Sequence, residues 1–244
     1  MDTLFSSQRS ALRAQNSAFS SQHSALRSQH LSFVLRPSSF VRGLWSVVRC
    51  LLSAVLLILA HPPYHLWFLA WFALVPLLSA VEGASFRRSF GLGYLFGVFY
   101  CFGMFWWFVH VTIPGMILLN LFLALYFALF TGTCALIAKA SWPRRVILTA
   151  CAWTAWEFVR SRFLSGFGWA GLGHTQYQQI PLIQIADIAG VYGISFLVAL
   201  VNAVVSAALA LRKRGRDGSK DIFSLLTGAG LLIAAVLVYG FSVT

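Results

Sequence analysis

From residue 44 to the C-terminus the chain is a succession of apolar runs, each about as long as a bilayer is thick, separated by short basic gaps. A helix needs about 20 apolar residues to cross the hydrocarbon core. No other feature narrows the fold so far, because a backbone in lipid must satisfy its own polar groups and is left with helices or a closed barrel. Runs of this length and continuity select helices. The runs predict spans at roughly 44–61, 65–81, 89–110, 115–138, 146–163, 190–211 and 222–241. The expected fold is an all-α integral membrane protein, a bundle of about seven transmembrane helices with a glycine-rich outer loop between spans five and six. Composition excludes the soluble alternative: 59% of the residues are hydrophobic and 10% are charged, whereas soluble domains carry about 25% charged residues.

Charge orients the spans. With the N-terminus inside, the inner segments hold Arg36, Arg42, Arg49, Arg87, Arg88, Lys139, Arg144, Arg145, Arg212, Lys213, Arg214, Arg216 and Lys220, and the outer segments hold Arg160 and Arg162, which is 13 against 2. The positive-inside rule then places the N-terminus in the cytoplasm and the C-terminus outside. The net charge of +12 therefore reads as topology and contact with anionic headgroups. No basic face remains for nucleic acid once the spans are removed.

Residues 1–43 are of another kind, a low-complexity Ser/Arg/Gln tail. Arg9–Gln15, Asn16–Gln22 and His23–Gln29 read RSALRAQ, NSAFSSQ and HSALRSQ. One large apolar residue per seven is too few for a coiled-coil seam, so the tail is expected to be disordered. A basic surface helix and an organellar transit peptide are the alternatives. Residues 44–244 form the polytopic domain.

Chemistry concentrates after the fifth span. Glu157 and Arg160 are three residues apart and share a helix face, so they can pair. Ionisable groups in a span are functional candidates by default; the alternative is an ion pair anchoring the helix end. Four glycines, Gly166, Gly168, Gly171 and Gly173, follow within eight residues, too many for a stable spanning helix. Irregular backbone at that depth must be buried in protein or line a cavity. Trp169 is then either an interfacial belt residue or the wall of a lipid cleft. Asp187 is expected on a short interfacial helix over about 179–188. The aromatic stretch Phe99–Phe108 is explained by belt packing. His61 and His65 are separated by prolines that spoil metal-ligand geometry, and no metal site is expected. Cys50, Cys101, Cys134 and Cys151 lack any metal or redox spacing and read as small buried residues. There is no phosphate loop and no G-x-S-x-G.

The ordered set of segments resembles one family. Ala60–Trp67 with its two prolines, Gly91–Gly97 followed by Trp106-Trp107, Glu157-Phe158-x-Arg160 followed by Gly166-Phe167-x-Trp169 and Gly173-x-x-Gln176, and Gly190–Leu197 followed by Val201-Asn202 are similar to the N-terminal membrane domain of bacterial apolipoprotein N-acyltransferase. The resemblance covers about 47–244. It departs at Gly168, where the family usually has proline, and at His174, where it usually has tyrosine. The family continues into a nitrilase-like domain with a Glu-Lys-Cys triad, which this chain lacks, so no catalytic residue is assigned and the chain alone is expected to be inactive.

The resemblance implies transfer of a phospholipid acyl chain, through a cysteine thioester, to the N-terminal cysteine of a lipoprotein. It implies a place in the bacterial inner membrane and no cofactor. The implied partners are a phospholipid acyl donor, a lipoprotein N-terminus and a separately encoded nitrilase-like domain. The implied substrate-binding residues are Glu157, Arg160, Gly166, Trp169 and Gln176. A non-catalytic lipid-binding or scaffold protein is the alternative.

Overall fold

The computed structural model describes residues 39–164, 166–213 and 219–243. Residues from Trp45 onward form one compact unit. Most of the expected tail lies outside the described residues.

The helices, in order, are α1 (Ser39–Ala60), a 3-10 turn (Trp67–Leu69), α2 (Ala70–Ala73), α3 (Val75–Val81), α4 (Phe86–Met104), a 3-10 turn (Trp106–His110), α5 (Ile113–Ile137), α6 (Trp142–Arg162), a 3-10 turn (Leu172–Gln176), α7 (Ile180–Ile183), α8 (Ala186–Lys213) and α9 (Ser219–Val243). The described residues contain no strand. Among the described residues four stretches are long and apolar enough to cross a bilayer: Gly43–Ala60, Ile113–Ile137, Ala186–Lys213 and Lys220–Val243. The protein is an all-α membrane protein. Helices α4 and α6 occupy the places expected for spans three and five. Charged residues lie within both, Arg87 and Arg88 in α4 and Arg144, Arg145, Glu157, Arg160 and Arg162 in α6.

The expected second span differs most. It is a chain of short helical pieces over Trp67–Val81. Pro76 removes a backbone donor and its ring crowds the preceding turn. In an unbroken helix the Leu74 N–H would donate to the Ala70 carbonyl. Here the Asn202 amide of α8 stands between them. Its Oδ1 accepts from Leu74 N at 2.8 Å, and its Nδ2 donates to Ala70 O at 2.8 Å. Ser53 of α1 donates to the Ala73 carbonyl. Side chains from two neighbouring helices thus replace the lost backbone bonds, as burial in an apolar medium requires.

The tightest packing joins α4 and α5. Gly93 and Gly97, four residues apart, let the backbones approach. A Cβ at Gly97 would stand 2.8 Å from Ala124 Cα. Thr131 Oγ1 of α5 donates to the Ser89 carbonyl of α4 at 2.8 Å. Above this contact lies an aromatic core. Phe96 stacks on Tyr100 with centroids 5.8 Å apart, Phe127 meets both edge-on, and Trp153 packs edge-on against Phe130 at 4.9 Å.

Two ends of the bundle can be told apart. At the basic end α4, α6 and α9 begin, with Arg87, Arg88, Arg144, Arg145 and Lys220. At the loop end α1, α4 and α6 finish. The short helix expected over about 179–188 is present as two pieces, α7 and the first turn of α8, with Asp187 exposed in that turn. Gly190, at φ 61°, breaks α8 after this turn.

Candidate functional site

The site is built where α6 ends. Phe163 is extended, Gly166 takes φ 77° and Ala170 φ 53°. The chain therefore folds back over the helix end, with Gly166 N donating to Phe163 O at 3.0 Å and Phe167 N donating to Arg160 O at 2.8 Å. A side chain at Gly166 would run into the Ser161 carbonyl. Only glycine combines this φ with that approach.

Residues 169–173 then cross the loop end of the bundle and enter the 3-10 turn at Leu172, and side chains hold their polar groups. Three successive carbonyls are held. Arg160 Nη1 donates to Trp169 O at 2.8 Å, Tyr100 Oη donates to Ala170 O at 2.9 Å, and His61 Nε2 lies 3.2 Å from Gly171 O. Three successive N–H groups are held as well. Gly171 N donates to His174 Nδ1 at 3.0 Å, Leu172 N to Glu157 Oε2 at 3.3 Å, and Gly173 N to Ser195 Oγ at 2.8 Å. Five of these backbone groups would each cost several kcal/mol if unpaired in an apolar medium and are satisfied by side chains; the sixth, Gly171 O, also accepts from His174 N at 3.0 Å. The holding residues come from the end of α1, from α4, α6 and α8, and, for His174, from the 3-10 turn itself.

Glu157 is the hub of this network. Its Oε2 also accepts from Trp153 Nε1 at 2.8 Å, and its Oε1 accepts from Ser195 Oγ at 2.9 Å. The expected pairing of Glu157 with Arg160 is replaced by these bonds. No ion pair within 4 Å joins the two, although both are buried on one helix. The physical reason is supply: the returning loop offers donors to the carboxylate and a carbonyl to the guanidinium, and each charge is satisfied by these. The Arg160 guanidinium also lies 6.0 Å from the Phe127 ring centroid. Gln176, fully buried, ties the 3-10 turn to the broken second span. Its Nε2 donates to Trp67 O at 3.1 Å and its Oε1 accepts from Trp71 Nε1 at 3.2 Å.

Of the five residues assigned from sequence, only Trp169 faces open space. It is 55% exposed, whereas Arg160 is 3% exposed. The Trp169 ring stacks on Trp107 at 5.5 Å and contacts Phe167 at 5.6 Å. It borders a cleft of about 780 Å³ whose other walls include Met104, Trp106, Trp107, Tyr64, His174 and Tyr177. Glu157 and Arg160 lie behind the loop, in a narrow crevice with Phe127 and Trp153. Gly166 and Gln176 line neither space. Sequence reading missed His61, Tyr100 and Ser195 as holders of the loop. The only signals available were the place of His61 and Ser195 in the matched segments and that of Tyr100 in the aromatic stretch. His61 is 2% exposed, and each of its ring nitrogens faces a carbonyl oxygen, Leu57 at 2.9 Å and Gly171 at 3.2 Å. His65 instead meets Tyr177 Oη through Nδ1 at 2.6 Å. Among the described residues no three His, Cys, Asp or Glu side chains converge on a possible metal position.

His174 carries a pH dependence. Its Nδ1 is an acceptor, so the folded chain holds the neutral ring. Loss of hydration against the loop lowers its pKa below the ordinary 6.5, Glu157 opposes this, and Arg160 adds to it, although part of the ring is open to the cleft. Since the folded value lies below the unfolded one, the contribution of His174 to stability is complete above about pH 6.5 and is lost as pH falls below it. Melting curves of the parent and of His174→Tyr from pH 8 to 5 are expected to show a steeper acid loss in the parent. Parallel slopes would remove His174 as a sensor.

The chain is similar to proteins of one family. The family model described as the apolipoprotein N-acyltransferase N-terminal domain matches residues 53–204. An apolipoprotein N-acyltransferase of Geobacter metallireducens is 35% identical over 202 residues, which are 78% of this chain and 38% of the relative. One of Rhodopirellula baltica is 30% identical over 203 residues, 77% of this chain and 35% of the relative. Apolipoprotein N-acyltransferase 2 of Treponema pallidum is 38% identical over 106 residues, 43% of this chain and 19% of the relative. The chain thus spans little more than a third of the length of the curated relatives it matches.

Proposed function

The chain belongs to the apolipoprotein N-acyltransferase N-terminal domain family, and from that membership we propose that it is the membrane half of an N-acyltransferase in lipoprotein maturation. It holds the acyl-donor phospholipid and the lipidated N-terminus of the lipoprotein beside a nitrilase-like domain, which supplies the nucleophile. The observation that carries this reading is the aromatic cleft at the loop end. One of its walls, Trp169, is mounted on a backbone segment fixed by six side-chain contacts. A site for acyl chains needs apolar walls held in place and a few polar groups at the rim. Trp106, Trp107 and Trp169 supply the walls, and His174 and Tyr177 supply the rim. Glu157, Arg160, Gly166 and Gln176 act through the loop as positioning residues.

In this reading the protein lies in the bacterial inner membrane. The basic end is cytoplasmic and the loop end faces out, following the asymmetry of 13 basic residues against 2. Two measurements test it together. A reporter active only outside the cytoplasm is expected to be active after Thr244 and silent after Lys139. The chain joined to a nitrilase-like domain with an intact Glu-Lys-Cys triad is expected to acylate a diacylated lipopeptide, and the chain without it to bind the lipopeptide without acylating it. Binding without acylation in both forms would favour a scaffold role. The reverse reporter pattern would overturn the orientation.

A further inference from the structure

The aromatic cleft has a deep end as well as a rim. Helices α1 and α4 run side by side toward the loop end. Near the basic end Arg88 Nη2 of α4 donates to Ser46 Oγ of α1 at 3.1 Å, and further along both helices Gly103 of α4 meets Ile58 of α1. Both Ile58 and Gly103 line the cleft. The other lining residues of these two segments, from His61 to Tyr64 and from Met104 to Trp107, all follow them toward the loop end. Ile58 and Gly103 are therefore the lining residues deepest in the bundle.

These two residues close the gap between the helices. A Cβ built at Gly103 would stand 2.4 Å from Ile58 Cδ1 and 3.2 Å from its Cγ1. The isoleucine side chain rests on the glycine backbone and fills the space that a side chain at 103 would take. One turn earlier on the same stripes stand Val55 and Phe99. Both are exposed and neither lines the cleft, so the cleft ends at Ile58. Polarity runs the other way. His174 and Tyr177 are at the rim, where Tyr177 Oη lies 2.6 Å from His65 Nδ1 and accepts from Gln178 Nε2 at 3.1 Å. Both ring nitrogens of His61, closer to the floor, are turned to backbone carbonyls. An amphiphile sorted by this gradient has its head at the rim and the end of its tail on Ile58.

We propose that Ile58, seated on Gly103, sets the length of acyl chain that the cleft accepts. This rests on the reading of the cleft as the acyl site and adds its specificity determinant. A chain that stops short of the floor leaves the atoms there without dispersion partners. One that is too long must displace side chains, which costs overpacking. Glycine at 103 keeps the floor low. A larger residue would drive the flexible end of Ile58 into the cleft and make it shallower.

The test uses the full chain purified in neutral detergent. Diacylated lipopeptides with dodecanoyl, hexadecanoyl and eicosanoyl chains compete for it, and bound ligand is counted by native mass spectrometry. Gly103→Leu is expected to raise the ratio of dodecanoyl to eicosanoyl ligand retained ~10-fold over the parent, and Ile58→Ala to lower it by a similar factor. Gly103→Ala shifts the ratio less, in the same direction as Gly103→Leu, and replaces it should Gly103→Leu not fold. General loosening of the bundle would not move the two positions in opposite directions. Trp169→Ala is expected to weaken every length alike and keep the parent's ratio. If Trp169→Ala weakens retention while folded variants at 58 and 103 keep the parent's ratio, the chains leave the cleft for the bilayer. That result overturns the floor and leaves the acyl site standing. If Trp169→Ala retains every length like the parent, the acyl site falls and the floor falls with it.

Discussion

Glu157→Gln is expected to lower the stability of the chain by about 2–3 kcal/mol, the largest effect of any single-atom exchange in the bundle. The carboxylate is an acceptor at both oxygens, and three donors converge on it: Trp153 Nε1, Leu172 N and Ser195 Oγ. An amide keeps one acceptor for Trp153 Nε1 and Leu172 N and turns its N–H toward Ser195 Oγ, which must accept where it had donated, so three charge-assisted bonds become weaker neutral ones. The charge is tolerable in the parent because these bonds replace its hydration. Ser195→Ala removes one donor to Glu157 and the acceptor of Gly173 N, and is expected to cost about 1–2 kcal/mol. Thermal melts in one detergent, with chymotrypsin cleavage at Phe167 and Trp169 as a local probe, measure both. A glutamine variant that melts with the parent and resists cleavage would show that the loop does not depend on the carboxylate.

Trp169→Ala and Arg160→Lys are expected to weaken lipopeptide retention by different routes, about tenfold or more for Trp169→Ala, since an aromatic wall and its stacking on Trp107 are lost together. Arg160→Lys leaves the ring in place and disturbs its mount. Lysine keeps the charge but lacks the planar fork that reaches the Trp169 carbonyl while lying against Phe127. Retention should fall less than in Trp169→Ala, and the tryptophan fluorescence should shift as Trp169 leaves Trp107. The matching measurement is acyl transfer by the chain joined to a catalytic domain. If both variants hold lipopeptide and support transfer like the parent, Trp169 is an interfacial belt residue and the cleft is not the substrate site.

The placement of the helices was legible because it follows from local chemistry. Apolar runs of bilayer length have no other way to satisfy their backbone in lipid, and the expected spans agree with α1, α4, α5, α6, α8 and α9 to within a few residues at most ends. Four glycines in eight residues marked the loop after α6 for the same reason. The arrangement within that loop was not legible, because its bonds join residues far apart in sequence. His61 reaches Gly171 across 110 positions, Tyr100 reaches Ala170 across 70, and Ser195 reaches Glu157 across 38. Spacing on a helix face put Arg160 beside Glu157; it could not tell that the loop would offer each of them a better partner. Asn202 makes the same point at the second span. Pro76 announces a break in the sequence, yet only the packing of α8 against it supplies the amide that repairs Leu74 and Ala70. The sequence by itself determined which segments form apolar helices and which loop cannot be helical, since those depend on transfer energies and backbone propensities of the residues themselves. The tertiary structure decided which buried polar group each charge and amide would meet, since that depends on which helices lie side by side.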